Sequence, residues 1–300
     1  MPAPRVSTVV PVYNDPGGIE TTLDSLTEQT YENYEIIPVD NNSTDRTPDV
    51  IRRWESAYPD RVVPAEETAV QSSYAARNTG IERASGEILL FIDADIWVEE
   101  TWISEMVSAL ESRDCDYLGC NVEIVPNSDS ASLWERYERA LSFPVETYLE
   151  RKHFAPTCAL AVRRAVFDEI GPFDEQLVSG GDKEFGQRVH RAGFKQGYAG
   201  SITVSHPARD SFAALRSKAR RIGRGRAQLR HYHPAFSDYV HPLHPVRFLP
   251  PSPLRLYRRY SGTAVSAPEM LSYYILEYGL KLIQTTSSLR ETVALTRGRS

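Results

Sequence analysis

The chain has 300 residues, 41% hydrophobic and 25% charged, an ordinary globular composition long enough for one large α/β domain with an appendage or for two small domains. A formal net charge of −6 argues against a dedicated nucleic-acid binder, which carries a basic excess over the whole domain. The three cysteines, Cys115, Cys120 and Cys158, are an odd count with spacing unsuited to pairing, and read as reduced thiols. The opening Met-Pro-Ala-Pro-Arg lacks the charged start, apolar stretch and cleavage site of a signal peptide. Glu269, Glu277 and Lys281 interrupt the best candidate for a membrane span. The expectation is a cytoplasmic protein whose membrane association, if any, is peripheral, at the inner face.

From Val6 to Ile124 short apolar runs alternate with amphipathic segments, which predicts parallel strands joined by crossover helices. The strands are expected at Val6 to Tyr13, Tyr34 to Asp40, Val62 to Ala65, Ile88 to Asp93 and Tyr117 to Ile124. Helices are expected at Ile19 to Glu28, Pro48 to Ala57, Tyr74 to Ala84 and Glu99 to Ser112. Thr47 reads as the N-cap of the second helix, with Pro48 at its first position. Beyond, the pattern gives a helix from Ala131 to Tyr148, a small-residue strand from Thr157 to Val162, and a short helix ending before Gly171-Pro172. A basic amphipathic stretch, a Pro- and His-rich connection from His233 to Pro253 and a final helix complete the chain. In that helix Leu271, Tyr274, Ile275, Tyr278 and Leu282 share one face.

In an open α/β sheet, ligands bind at the carboxyl ends of the strands, so the polar groups that end each apolar run carry the functional information. The first run ends in Pro11-Val12-Tyr13-Asn14-Asp15 and the second in Asp40-Asn41-Asn42-Ser43-Thr44-Asp45. An aromatic face beside a carboxylate could stack on a base and accept its ring N–H, which suits Tyr13 and Asp40. The plainer alternative for each is a turn rich in Asn, Asp and Ser. The fourth run ends in Asp93-Ala94-Asp95, two carboxylates at strand spacing. Their repulsion would be relieved by a hard divalent cation such as Mg²⁺ or Mn²⁺ holding a diphosphate.

Taken in order, Val-Pro-Val-Tyr-Asn, Asp40 to Asp45, Ala76-Arg77-Asn78-Thr79-Gly80-Ile81 and Phe91-Ile92-Asp93-Ala94-Asp95 resemble family 2 glycosyltransferases, over roughly Val6 to His206. The resemblance implies an α/β fold of GT-A type, a Rossmann-like nucleotide-binding sheet flanked by helices, with a helical C-terminal extension. The corresponding domains would be a catalytic domain over 1–210, with a nucleotide-sugar half at 1–124 and an acceptor half at 125–210, and a basic, helical extension at 211–300. It implies an inverting transferase that uses a nucleotide-sugar donor, UDP-linked by family tendency, and Mn²⁺ or Mg²⁺. The acceptor would be a glycan or a polyprenyl-lipid-linked molecule. Pro11, Val12, Tyr13 and Asp40 would surround the base, Arg77 would lie near the nucleotide, Asp93 and Ala94 toward ribose or metal, and Asp95 on the metal.

A second block, Gly171-Pro172-Phe173-Asp174-Glu175 followed by Gly180-Gly181-Asp182-Lys183-Glu184-Phe185, resembles the acceptor-side motif of that family and implies Asp182 as general base. Gly181 departs from the Glu common at its place. Asp182 also reads as the N-cap of the helix that follows. The same six residues are one insertion away from a diguanylate cyclase signature, which belongs at a hairpin, whereas a helical pattern follows here. His206 stands where many relatives complete the metal site or contact the diphosphate, although a lone histidine is more often structural. His231, His233, His241 and His244 have weak spacing for structural zinc.

Arg216, Lys218, Arg220, Arg221, Arg224, Arg226 and Arg230 form a basic stretch without acidic residues. It reads equally as a solvated helix face or as a surface for anionic lipid or an acceptor phosphate. Gly223 and Gly225 point to fraying there and to a mobile loop. Another nucleotide-using enzyme and a catalytically silent sugar-nucleotide-binding module remain the alternative functions. The first lacks a Gly-rich triphosphate loop, and the second leaves Asp95 and Asp182 unexplained.

Overall fold

The computed structural model describes residues 3–128, 130–260 and 265–298, so the first two residues of the N-terminus lie outside the described residues. The elements in chain order are β1 (Val6–Val12), α1 (Pro16–Thr27), β2 (Tyr34–Asp40), α2 (Thr47–Ala57), β3 (Ala65–Glu66), α3 (Ser73–Arg83), β4 (Ile88–Phe91) and α4 (Trp102–Ser112). They continue as β5 (Tyr117–Val125), α5 (Leu133–Leu141), α6 (Val145–Lys152), β6 (Leu160–Arg163), α7 (Arg164–Ile170), α8 (Gly181–Arg191), β7 (Gln196–Pro207), α9 (Phe212–Tyr232), α10 (Pro253–Tyr260) and α11 (Ala267–Arg297). Two short 3₁₀ turns, Pro234–Phe236 and Pro245–Arg247, lie between α9 and α10.

Seven strands form one sheet in the order β3-β2-β1-β4-β6-β5-β7. β1 pairs in parallel with β2 and β4, and β2 with β3, as the alternation of apolar runs predicts. Beyond β4 the sheet is mixed, although β1 to β5 all share one direction, as expected for Val6 to Ile124. β6 enters antiparallel between β4 and β5, so the crossover through α4 skips a position that a later strand fills. Between β1 and β4 the chain reverses its direction of travel across the sheet, which puts the ends of these two strands at a topological switch point.

Every residue of β1 and β2 is buried, including polar ones; the Thr8 hydroxyl has no hydrogen-bond partner among the described residues, whereas Ser7 and Glu35 satisfy each other. Ser7 Oγ donates to Glu35 Oε1 at 2.6 Å and accepts from Gly86 N–H at 2.8 Å. All three cysteines are buried and unpaired with one another, in line with reduced thiols.

Two compact units emerge: residues 1–123, 143–176 and 181–207 form the first, and residues 124–142, 177–180 and 208–300 form the second. The core of the second is an aromatic and aliphatic cluster of Tyr137, Leu215, Ala219, Tyr260, Tyr273, Leu276 and Leu280.

Several local readings need correction. The helix expected from Ala131 to Tyr148 is two helices, because Pro144 cannot donate and disfavours helical geometry before it, and Ser142 adopts φ of 51°. Thr47 is the first residue of α2 rather than its cap, and its hydroxyl accepts Asp15 N–H at 3.0 Å. Gly223 and Gly225 do not fray α9, which runs unbroken for 21 residues. A Cβ at Gly223 would collide with the Gln284 carbonyl of α11, and one at Gly225 with that of Ser179, so both glycines permit close backbone approach. The basic stretch is not one solvated face. Arg216, Arg220, Arg221 and Arg224 are exposed, Arg224 while bonding to Glu291, whereas the half-buried Lys218, Arg226 and Arg230 bond to Glu138, Gln284 and Thr292. In α11 the buried face is Tyr273, Leu276 and Leu280, while Leu271 and Ile275 of the sequence stripe are 61% and 64% exposed. Among the described residues, no helix is long and apolar enough to cross a membrane.

Candidate active site

The ends of β1, β2 and β4 in the first unit carry most of the residues singled out from sequence. Pro11 and Val12 are buried in β1, and Tyr13, the first residue beyond the strand, is 51% exposed. Asn14 follows at φ of 50° and ties this loop to the one after β2: its N–H donates to Ser43 Oγ at 2.9 Å and its Oδ1 accepts Thr44 N–H at 2.8 Å. The Asp40 carboxylate accepts Ser43 N–H at 3.2 to 3.3 Å, so it is fixed in place beside the Tyr13 loop. The two loops form one hydrogen-bonded rim.

Asp93, Ala94 and Asp95 lie in a turn, since β4 ends at Phe91, and the two carboxylates are not simple strand neighbours as their spacing predicted. Asp93 is paired with Arg77 at 2.5 Å, and the arginine side chain is only 4% exposed. Asp93 therefore already has a cationic partner within the protein. Ala94 is buried, and Gly18 is required opposite it, because a Cβ there would strike the Ala94 carbonyl. Thr22 of α1 anchors the turn from below by donating to the Ile96 carbonyl at 2.7 Å.

The helix α3 explains its own motif residue by residue. Arg77 holds Asp93; Asn78 makes a two-point clamp on the backbone of Phe173, at 2.9 and 3.0 Å; Thr79 donates to Glu67 at 2.6 Å. Gly80 packs where a Cβ would meet Val9 and Val39 of the sheet. One turn before, Tyr74 was missed by sequence reasoning, although helical spacing of three and four places it on the face of Arg77 and Asn78. Its hydroxyl accepts Gly181 N–H at 2.9 Å and Asp182 N–H at 3.3 Å. These are first-turn amides of α8 that no helical carbonyl can satisfy.

Asp182 is thus inside the first turn of α8, not its N-cap, and its carboxylate accepts Lys183 N–H at 2.9 Å. Gly181 is glycine for a local reason. A Cβ there would lie 2.7 to 2.9 Å from carbons of the Tyr74 ring, so the ring fills the space that a longer residue would need. Gly180 turns the chain at φ of 91° directly into a helix, which removes the hairpin that a cyclase signature requires. The buried thiol of Cys158 has its pKa raised, first by desolvation and then by the charges of Asp93 and Asp182, with Arg77 opposing. Asp93, Arg77 and Asp182 therefore all act on one buried point.

His206 is buried near the end of β7, stacked on Phe143 at 6.0 Å. Its Nδ1 lies 2.8 Å from the Pro207 carbonyl, which can only accept, so Nδ1 donates there and Nε2 is the nitrogen left for a ligand. The strand bearing it runs antiparallel to the segment after Asp95, through reciprocal Trp97 and Ser205 backbone bonds at 3.2 and 3.0 Å. Among the described residues no three His, Cys, Asp or Glu side chains cluster closely enough to form a ready-made metal cage.

A family model described as "Glycosyl transferase family 2" matches residues 7–171. The chain belongs to this family. Among curated relatives, it is 38% identical over 229 residues to glycosyltransferase AglE of Haloferax volcanii, covering 75% of this chain and 74% of that one. It is 31% identical over 210 residues to the O-antigen biosynthesis protein RfbC of Myxococcus xanthus, of which it spans only 16%. Among solved structures, the mannosyltransferase PcManGT of Pyrobaculum calidifontis, in complex with GDP-Man and Mn²⁺, superposes with a TM-score of 0.65 at 20% identity, covering 96% of this chain and 87% of that one. S. aureus TarS 1–349 in complex with UDP-GlcNAc gives a TM-score of 0.55 at 16% identity, covering 98% and 92%. These likenesses establish a GT-A fold, and the glycosyltransferase carries its family motifs at the switch point of that sheet.

Proposed function

We propose that this glycosyltransferase moves a sugar from a nucleoside diphosphate donor, UDP-linked, to a glycan or polyprenyl-linked acceptor, with inversion at the anomeric carbon. The observation that supports this most is Tyr74: one side chain of α3 fixes the amide of Asp182, while Arg77 on the same helix holds Asp93. Donor side and acceptor side are braced by a single element.

In this reading Tyr13 stacks on the base and the Asp40 carboxylate accepts its ring N–H, both presented by the rim that Asn14 and Ser43 close. Arg77 and Asp93 orient the nucleotide, with Pro11, Val12 and Ala94 shaping the wall. Asp182 takes the proton of the attacking hydroxyl as the new bond forms to the anomeric carbon and the bond to the diphosphate oxygen breaks. Against a polyprenyl phosphate, already ionised, Asp182 would orient the acceptor instead. Asp95 and the Nε2 of His206 suit a Mg²⁺ or Mn²⁺ ion, which typically takes one or two protein ligands and completes its shell with phosphate oxygens and water. When bound, that ion supplies positive charge to the departing diphosphate.

Slow hydrolysis of the donor tests the stereochemistry without knowledge of the acceptor. Proton NMR during cleavage of an α-linked UDP-sugar should show the β-anomer first, and Asp182→Asn should slow its appearance by about 10²–10⁴-fold. Initial release of the α-anomer, or full turnover by the variant, would refute the mechanism.

A further inference from the structure

A cavity of about 610 Å³ lies within the second unit, between α5, α9, α11 and the segment 246–252. That volume falls in the ~300–1,000 Å³ range of small-molecule sites. Its walls combine two chemistries. Leu141, Leu215, Ile222, Leu249 and Leu280 supply apolar surface, while Lys218, Arg226, Arg247 and Lys281 line it together with Glu138 and Glu277.

The two carboxylates leave the cations in excess. Glu138 is already shared between Lys218, at 2.8 Å, and Arg209, at 3.2 Å. Lys281 Nζ donates to the Val246 and Leu249 carbonyls at 2.8 and 2.7 Å, which ties the 246–249 segment to α11. Arg226 Nη1 donates to Gln284 at 2.6 Å. The Nε of Arg226 and the Nε of Arg247 are buried without a hydrogen-bond partner among the described residues. A buried donor left open is costly, and two on guanidinium groups of different elements are not accidental decoration of a solvated face. Burial, then the charges of Arg226 and Arg230, lower the Arg247 pKa; burial, then Arg247, lowers that of Lys281. The cluster is self-repelling, and an anion would relieve it.

We propose that this cavity binds a phosphate-bearing amphiphile, its phosphate between Arg226 and Arg247 and its hydrocarbon along the apolar wall. Guanidinium forks arriving from α9 and from the 3₁₀ turn Pro245–Arg247 suit a tetrahedral, multiply accepting anion. A free anion would have no use for the apolar wall, which continues outward through Val246 and Leu249, 45% and 57% exposed. All of these residues belong to the second unit.

Titration calorimetry of the full chain with decyl phosphate, decanol and inorganic phosphate, each below any micelle concentration, tests this. Decyl phosphate is expected to bind at least tenfold more tightly than the other two, and the Arg226→Gln/Arg247→Gln variant to lose at least tenfold. No binding of decyl phosphate, or equal binding by the variant, overturns the site. Inorganic phosphate binding as tightly as decyl phosphate overturns the amphiphile. Should the double variant fail to fold, Leu249→Trp at the mouth should weaken decyl phosphate at least tenfold, and an unchanged affinity there also overturns the proposal.

Discussion

Tyr74→Phe removes one oxygen and nothing else, which makes it the sharpest test of how the first unit positions Asp182. In the native chain that oxygen satisfies two amides at the start of α8, one at 2.9 Å and one at 3.3 Å. Without it, Gly181 N–H is buried with no helical acceptor, and losing such a cap costs about 1–2 kcal/mol, with the longer second bond adding little. At roughly 2–4 °C per kcal/mol for chains of 150–250 residues, the melting temperature should fall by about 2–8 °C. The phenylalanine ring still packs on Phe173, so the sheet and the Arg77–Asp93 pair should persist. Turnover of the donor should therefore drop while its KM stays within about twofold, because only the Asp182 side is loosened. Thermal unfolding and steady-state kinetics on the same preparation give both numbers. A variant as stable and as active as the native enzyme would refute the bracing role of Tyr74.

The remaining predictions address packing and pH. Gly223→Ala should destabilise the second unit by about 1–3 kcal/mol, read as a lower urea midpoint, because the added Cβ meets backbone of α11 rather than a side chain that can move. Burial pushes the Glu35 pKa up, but hydrogen bonds from Ser7, Ser85 and Arg5 outweigh it, so its folded pKa lies below the ordinary 4.5. A depressed folded pKa means stability that is present above pH 4.5 and lost as pH falls through the lower value. Glu35→Gln should accordingly flatten the acid limb of the stability curve below pH 4.5, measured by denaturant unfolding at a series of pH values, and an unchanged limb would exclude this residue as a contributor.

The parallel half of the fold was legible because its strands are continuous apolar runs and the residues proposed for the donor site follow each run directly. Tyr13, Asp40 and Asp93 needed only the rule that ligands gather at strand carboxyl ends. What sequence spacing could not convey was partnership. Asp93 is claimed by Arg77, a residue 16 positions earlier brought in by helix packing, which its spacing from Asp95 gave no hint of. The inserted antiparallel β6 carries no local signature of direction, since strand polarity is set by the crossover and not by composition. The glycines of α9 misled for a related reason. Glycine lowers helix propensity in isolation, but close packing against α11 overrides that preference. Likewise the apolar stripe of α11 was real as a pattern, while the tyrosine-bearing face adjacent to it is the one that is buried.

The central claim, a donor site built on the β1, β2 and β4 ends with Asp95 as the metal-side carboxylate, is tested most directly by melting temperature against UDP-, GDP-, dTDP- and CMP-sugars, each with and without Mn²⁺ or Mg²⁺. A ligand that binds the folded state alone must raise that temperature, by an amount equivalent to about 2.7 kcal/mol at a hundredfold excess over Kd. The account predicts a rise with a UDP-sugar that requires the metal and disappears in Asp95→Ala. A rise of equal size without metal, or one retained in full by Asp95→Ala, would contradict it.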